Sequence, residues 1–290
     1  MIEVCEVDGL FPLSLPNIMP RLPSLERFLA NCRWQPLAPH MKFQWPLQHE
    51  QVSLAERQAE GLGIRQAFPH WLRADPMHFR AEGDGVLLMD SYTFSLSESE
   101  ASQLIDGLNQ HYGNEGIRFY KIRATEWLVG FSQRLPGGLI PPWYRVGRTV
   151  DGYLPSGPDQ KFWVSLFNEI QMILFAHPLN EARMAPPHRA INGVWFWDKG
   201  FWSKKTTIYE GLRSPAAYGD EEGWLAAIRH FDSHWLAPRL RQLKQEGRRG
   251  SITLVVTEGP HQGQLTLNSW DLFKFWRRAQ GLARWLNDKK

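Results

Sequence analysis

Long apolar runs, cysteine and an excess of charge of one sign are what this chain has least of. No stretch of about eighteen consecutive apolar residues occurs in the 290-residue chain, so the sequence holds no ordinary membrane-spanning helix and a membrane partner is not expected. Its two cysteines, Cys5 and Cys32, provide no disulfide framework, which fits a reducing cytoplasm. The N-terminus, MIEVCEVDGLF, is acidic and lacks a basic region followed by an apolar one, so it does not read as a secretory signal. Lys and Arg number 33 against 30 Asp and Glu, and the net charge of +3 is modest for this length. Basic residues are scattered apart from short clusters such as Arg248-Arg249 and Arg277-Arg278, so nucleic acid is not implied as a partner. There is no sustained internal repeat.

What the chain does have is apolar and aromatic mass. At 43% hydrophobic and 22% charged it can bury a large core in one or two domains, as a soluble globular protein. Fourteen tryptophans are unusual, and their ordinary use is to fill cores and interfaces rather than to stack on bases. Elements alternate along the chain. Strands are expected at Ile2 to Val7, Val86 to Met89, Ile117 to Ile122, Trp127 to Phe131, Gly193 to Trp197, Ile252 to Val256 and in QLTL. Helices are expected from Ser24, placed as a cap, and in SLAERQAEGLG. Others are expected from the Ser97/Glu100 capping box to Tyr112, at Trp224 to Phe231 and at Trp235 to Gln245, with an aromatic helix or turn around Trp270 to Trp276. Such alternation implies α/β layering.

The run from Phe162 to Trp197 carries the most information. Phe162, Trp163, Leu166, Phe167, Ile170, Ile173 and Leu174 recur at three- and four-residue steps and give a helix one broad apolar stripe. Pro178 ends it, which places His177 in a turn at or just past the last helical turn. Asn180, Arg183 and Asn192 follow, the last directly before the apolar strand GVWFW. Arg offers a planar fork of donors and Asn both a donor and an acceptor, so the group suits an anion or a carbonyl-bearing ligand. The competing reading is that His177 and the asparagines cap the helix and satisfy buried backbone groups. Arg73, Asp75, His78 and Arg80 in WLRADPMHFR form a second candidate group, with a turn held by Asp75 and a surface Arg80 as its plainer reading.

HPLNEAR followed by AIN and a hydrophobic strand resembles the H-P-V-N-x-x-R... P-x-N segment of the archaeal-type, cofactor-independent phosphoglycerate mutases of the alkaline phosphatase superfamily. NEIQMILFAHPLNEAR, together with WLRADPMHFR and VWFW, is closer still to regulatory proteins of the RpfE type. The resemblance implies an alkaline-phosphatase-like layered core interrupted by a smaller α/β cap. The core would be 1–72 and 191–290 and the cap 73–190. Active members hold two divalent metals with several Asp and His residues and use a Ser or Thr nucleophile. Asp8 matches the first ligand position, but the late Asp-His pair has become Glu258-Gly259-Pro260 with His261 displaced. His230, Asp232 and His234 are the nearest substitute for a further metal segment, and no residue from Ser14 to Ser24 has a recognisable nucleophile context.

The expectation is therefore a regulatory, non-catalytic relative without a cofactor, binding a small anionic ligand or a protein partner. The enzyme alternative is a divergent phosphomutase or phosphatase using Mn or Zn on Asp8, Glu258, His261, His230, Asp232 and His234. A scaffolding protein with a tryptophan-rich docking surface is the third reading. Ligand, regulated process and oligomeric state are not encoded in any of these residues.

Overall fold

The computed structural model describes residues 2–37, 53–83, 85–135, 141–142, 146–147, 149, 158–183, 188–198, 206–245, 250–257, 261–274, 276–279 and 281–287. The chain divides into two compact units, one formed by Met1–Gln48 with Ser203–Lys290 and the other by His49–Trp202. Each carries its own five-stranded sheet. The expected mixed α/β class is what the structure has. The divisions differ from the expected 72/73 and 190/191, and the insertion takes in more of the chain than its interrupted host. The reason lies in one strand pair: His70–Glu82 and Gly193–Trp197 hydrogen-bond to each other, so both belong to the insertion.

In the discontinuous unit the strands are β1 (Ile2–Glu6), β2 (Arg33–Pro36), β8 (Thr206–Ile208), β9 (Ser251–Val256) and β10 (Gly263–Asn268), in the order β2-β10-β9-β1-β8. β1 lies between β8 and β9 and is parallel to both, whereas β10 runs antiparallel to β9 and β2. The central strand β9, SITLVV, has the β-branched content that suits a pleated surface buried on both faces. Helices α1 (Pro23–Asn31), α6 (Arg213–Tyr218), α7 (Glu221–His230), α8 (Ala237–Gln245) and α9 (Leu282–Asn287) complete the unit, with a π-helical segment, Phe231–Leu236, joining α7 to α8. Leu25, Phe28, Trp224, Ile228, Phe231, Ile252 and Leu254 meet in one core.

Ser24 does not cap α1; it lies inside the helix. The Leu25 N–H donates instead to Asp232 Oδ1 at 2.7 Å, across 207 positions of sequence, and the Leu22 N–H donates to Glu26 at 3.0 Å. The donors at the start of the helix are thus met by one carboxylate from the π segment and one from the helix's own first turn.

The inserted unit is built on β3 (His70–Glu82), which pairs antiparallel with β4 (Gly85–Met89), β6 (Glu126–Phe131) and β7 (Gly193–Trp197), while β5 (Ile117–Arg123) pairs with β6. Helix α3 (Glu98–Tyr112) begins at the expected Ser97/Glu100 capping box. Helix α4 (Pro158–Phe175) buries Trp163, Leu166, Ile170 and Leu174 against Phe119, Val129 and Phe196. On the opposite face α2 (Leu54–Gly61) approaches Trp71 and Leu128 through Ala55 and Ala59. All five residues of β7 are buried, as a continuous apolar run predicts. Among the described residues no helix is long and apolar enough to cross a membrane.

Candidate functional site

Pro178 both ends α4 and starts the short helix α5 (Pro178–Arg183), where a missing N–H costs nothing. His177 sits in the joint. Its Nδ1 accepts from the Leu179 N–H at 3.2 Å, so the ring caps α5, and its Cδ2 edge packs so close to Gly107 that a Cβ there would lie 2.9 Å away. Asn180, 2% exposed, donates to the carbonyls of Leu174 and Ile191 and accepts from the Ile191 N–H, each at 2.8 Å. Arg183, 3% exposed, gives Nε to the Arg189 carbonyl at 2.9 Å, one terminal nitrogen to Glu100 and the other to the Ser95 carbonyl.

The Asn192 amide spans the Phe79 backbone, accepting its N–H at 2.7 Å and donating to its carbonyl at 2.9 Å. It extends the β3–β7 ladder with a side chain. His78 Nδ1 lies 2.8 Å from the Ala190 carbonyl; a carbonyl only accepts, so Nδ1 carries the proton. Burial, together with Arg189 and Arg80, shifts the ring's pKa down against the pull of that hydrogen bond, which favours the neutral form.

These partners share a destination. The backbone of residues 189–192 has no ladder of its own, and three side chains from two elements, α5 and β3, meet its polar groups: Arg183 at 189, His78 at 190, Asn180 at 191. Asn180 and Arg183 of the first candidate group and His78 of the second thus meet on one segment, and their described hydrogen bonds there are made to the chain itself. Such a staple orients the chain entering β7.

Arg73 and Asp75 point to the same face of β3, with Nε and a terminal nitrogen of Arg73 3.1 and 2.6 Å from Asp75 Oδ1. Trp197 donates Nε1 to Asp75 Oδ2 at 2.7 Å and lies under the guanidinium, 5.2 Å from ring centroid to Cζ. Desolvation pushes the Asp75 pKa up, opposed by Arg73. Arg80 stands apart, paired with Glu82 at the exposed end of the strand. The turn considered for Arg73–Asp75 is instead the middle of a 13-residue strand.

A third constellation lies at the C-terminal ends of the parallel strands β1 and β9, where open α/β sheets usually place their ligands. Glu6 ends β1, and Asp8 follows it. Gly9 then turns the chain at φ +84°, with its carbonyl held by Trp224 Nε1 at 2.7 Å. Asp8, 2% exposed, takes the Thr257 N–H on Oδ1 at 2.7 Å and the Thr257 hydroxyl at 3.1 and 3.0 Å from its two oxygens. Arg213, the first residue of α6, reaches Glu6 at 2.7 Å and Asp8 at 3.5 Å with the same nitrogen. Neither Thr257 nor Arg213 is separable by sequence pattern from an ordinary surface Thr or Arg.

The other suggested metal ligands lie elsewhere, and Glu258 falls outside the described residues. Asp232 is committed to α1. His261 packs edge-on against Phe11, with centroids 6.0 Å apart. His230 and His234 stack, with centroids 4.5 Å apart and planes 11° from parallel. Ser233 gives its hydroxyl proton to the Arg229 carbonyl and so accepts from His234 Nδ1. The in-plane lone pairs of parallel rings run side by side rather than meeting at one ion. Among the described residues no three His, Cys, Asp or Glu side chains gather as a metal would require. The described residues around Asp8, with Arg213 among them, do not by themselves supply the ligands of a two-metal centre.

No family model matches the chain. Over 162 residues, 54% of this chain and 39% of the relative, it is 30% identical to a 2,3-bisphosphoglycerate-independent phosphoglycerate mutase of Methanosarcina mazei. Over 144 residues, 48% of this chain and 36% of the relative, it is 31% identical to the mutase of Methanosarcina acetivorans. A probable mutase of Geobacter sulfurreducens is 23% identical over 128 residues, 43% of this chain and 32% of that one. The matches thus span less than two fifths of these relatives. Among solved structures, the cofactor-independent phosphoglycerate mutase from Thermoplasma acidophilum aligns with a TM-score of 0.38 at 14% identity, covering 98% of this chain and 94% of that one. A Pyrococcus horikoshii protein aligns with a TM-score of 0.38 at 10% identity, covering 92% and 88%. About half of the chain is therefore similar in sequence to cofactor-independent phosphoglycerate mutases.

Proposed function

We propose that this chain is a phosphoglycerate-mutase-like protein that acts by binding, in a regulatory role of the RpfE type in the cytoplasm, and not by metal-dependent phosphoryl transfer. The observation that supports it is the Asp8 carboxylate. Two-metal transfer needs ligands dense enough to hold cations against both the attacking and the leaving oxygen. Asp8, the matching first ligand, is instead closed in by Thr257 and Arg213.

Of the two kinds of partner, the geometry favours a protein over an anionic metabolite. Asn180, Arg183, Asn192, Arg73 and Asp75 are engaged within their own unit. Trp270, Phe273 and Trp276 are 49%, 52% and 66% exposed within seven residues of one another, and large aromatics are enriched at interfaces. The test is a phosphoglycerate mutase and phosphatase assay of the full chain with Mn and with Zn. Absence of turnover above a chelated blank is expected. Metal-dependent turnover would replace this reading with the divergent-enzyme one.

A further inference from the structure

The geometry points to Arg213 as a built-in cation that takes the place of a divalent metal between Glu6 and Asp8. This rests on the reading of the chain as mutase-like, and adds to it the residue that closes the site.

Glu6, Asp8 and Arg213 are 3%, 2% and 7% exposed. A buried carboxylate is tolerated only when paired or hydrogen-bonded, and two side by side repel each other unless a positive charge lies between them. One guanidinium nitrogen does this, at 2.7 Å from Glu6 and 3.5 Å from Asp8. The placement is over-determined by the backbone. Gly9 passes so close to α6 that a Cβ on it would lie 2.2 Å from the Leu212 carbonyl oxygen, which sets the start of α6, and Arg213 with it, beside the Asp8 turn. The Tyr209 N–H donates to the Glu6 carbonyl at 2.9 Å and holds the incoming segment to the end of β1. Thr257 then supplies an N–H and a hydroxyl to Asp8, hydrogen bonds that further stabilise the buried carboxylate.

A guanidinium and a divalent ion differ in one consequence that can be measured. A metal site gains stability from added metal, whereas a site that carries its own cation does not. The experiment compares thermal unfolding of the wild type, Arg213→Lys, Arg213→Met and the triple variant Glu6→Gln, Asp8→Asn, Arg213→Met. Each is measured in chelator and with millimolar Mn or Zn. The expected result is a wild-type Tm that metal leaves unmoved and a fall of roughly 10 °C in Arg213→Met. The fall should be smaller in Arg213→Lys and largely recovered in the triple variant, where all three of these charges are removed together.

If Arg213→Met does not fold, the triple variant decides: cooperative unfolding near the wild-type Tm supports the assignment, and failure to fold overturns it. Wild-type stabilisation by metal, or an Arg213→Met variant as stable as wild type, also overturns it. Metal stabilisation without turnover removes only this inference, while metal-dependent turnover removes the non-catalytic reading itself.

Discussion

Asn180 is a polar side chain with one buried position and three backbone partners. Its amide joins the last turn of α4 to the segment that enters β7. Asn180→Ala would leave the Ile191 N–H and two carbonyls without that partner. It should lower stability by about 3 kcal/mol in denaturant unfolding, since each stranded buried group costs about 1–3 kcal/mol. Arg183→Ala removes a buried guanidinium from the partly exposed Glu100 and from the Arg189 and Ser95 carbonyls, and should cost about 2–3 kcal/mol. The sequence alone left two meanings for these residues, a ligand site or a cap for buried backbone, and their geometry favours the second. If both variants unfold at the wild-type denaturant concentration, the staple carries no energy.

At the scale of elements, two junctions depend on single residues that look unremarkable in sequence. The D-G pair after β1 is one: Gly9 holds φ +84°, and an added Cβ would meet backbone 2.2 Å away. Gly9→Ala is expected to cost at least ~2 kcal/mol, from strain at positive φ plus the clash, with loss of the cooperative thermal transition as the readout.

The other junction is the start of α2, where Asp198, directly after β7, accepts from Ser53 and from the N–H groups of Leu54 and Ala55. Burial pushes its carboxyl up to about 6. The folded state therefore holds this proton more tightly than the unfolded chain, whose aspartates titrate near about 4. The residue's contribution is fully present below about 4 and is lost as pH rises through about 6. Denaturant unfolding between these values should show wild-type stability falling with pH, and Asp198→Asn should flatten that slope. An equal slope in both proteins would assign the titration to another group.

For the whole molecule, the decisive fact is that β3 and β7 pair with each other inside the insertion. All the strand partners of β3, together with α2, α3 and α4, lie within His49–Trp202. A fragment 49–202 should accordingly fold alone, with a single cooperative transition and near-ultraviolet dichroism from its buried Trp127, Trp163 and Trp195. The fragment 73–190, drawn from the family resemblance, cuts β3 after its third residue and omits β7. It should not give that signal.

Read alone, the sequence determined most of the elements, because they are written in local periodicity: the α4 stripe, the Ser97/Glu100 capping box and the five-residue apolar run of β7 each rest on neighbours in the chain. It also carried the family resemblance, whose motifs include the residues that staple 189–192. It did not reveal β3 as one long strand, since Arg73, Asp75 and Pro76 break the apolar pattern that marks strands. Only the tertiary structure decided that Asp232 caps α1 from 207 positions away, and that Arg213 stands between Glu6 and Asp8 across more than 200. The physical reason is one of range. Propensity and periodicity act over a few residues, whereas the partner of a buried charge is chosen by which chain ends the sheet brings together.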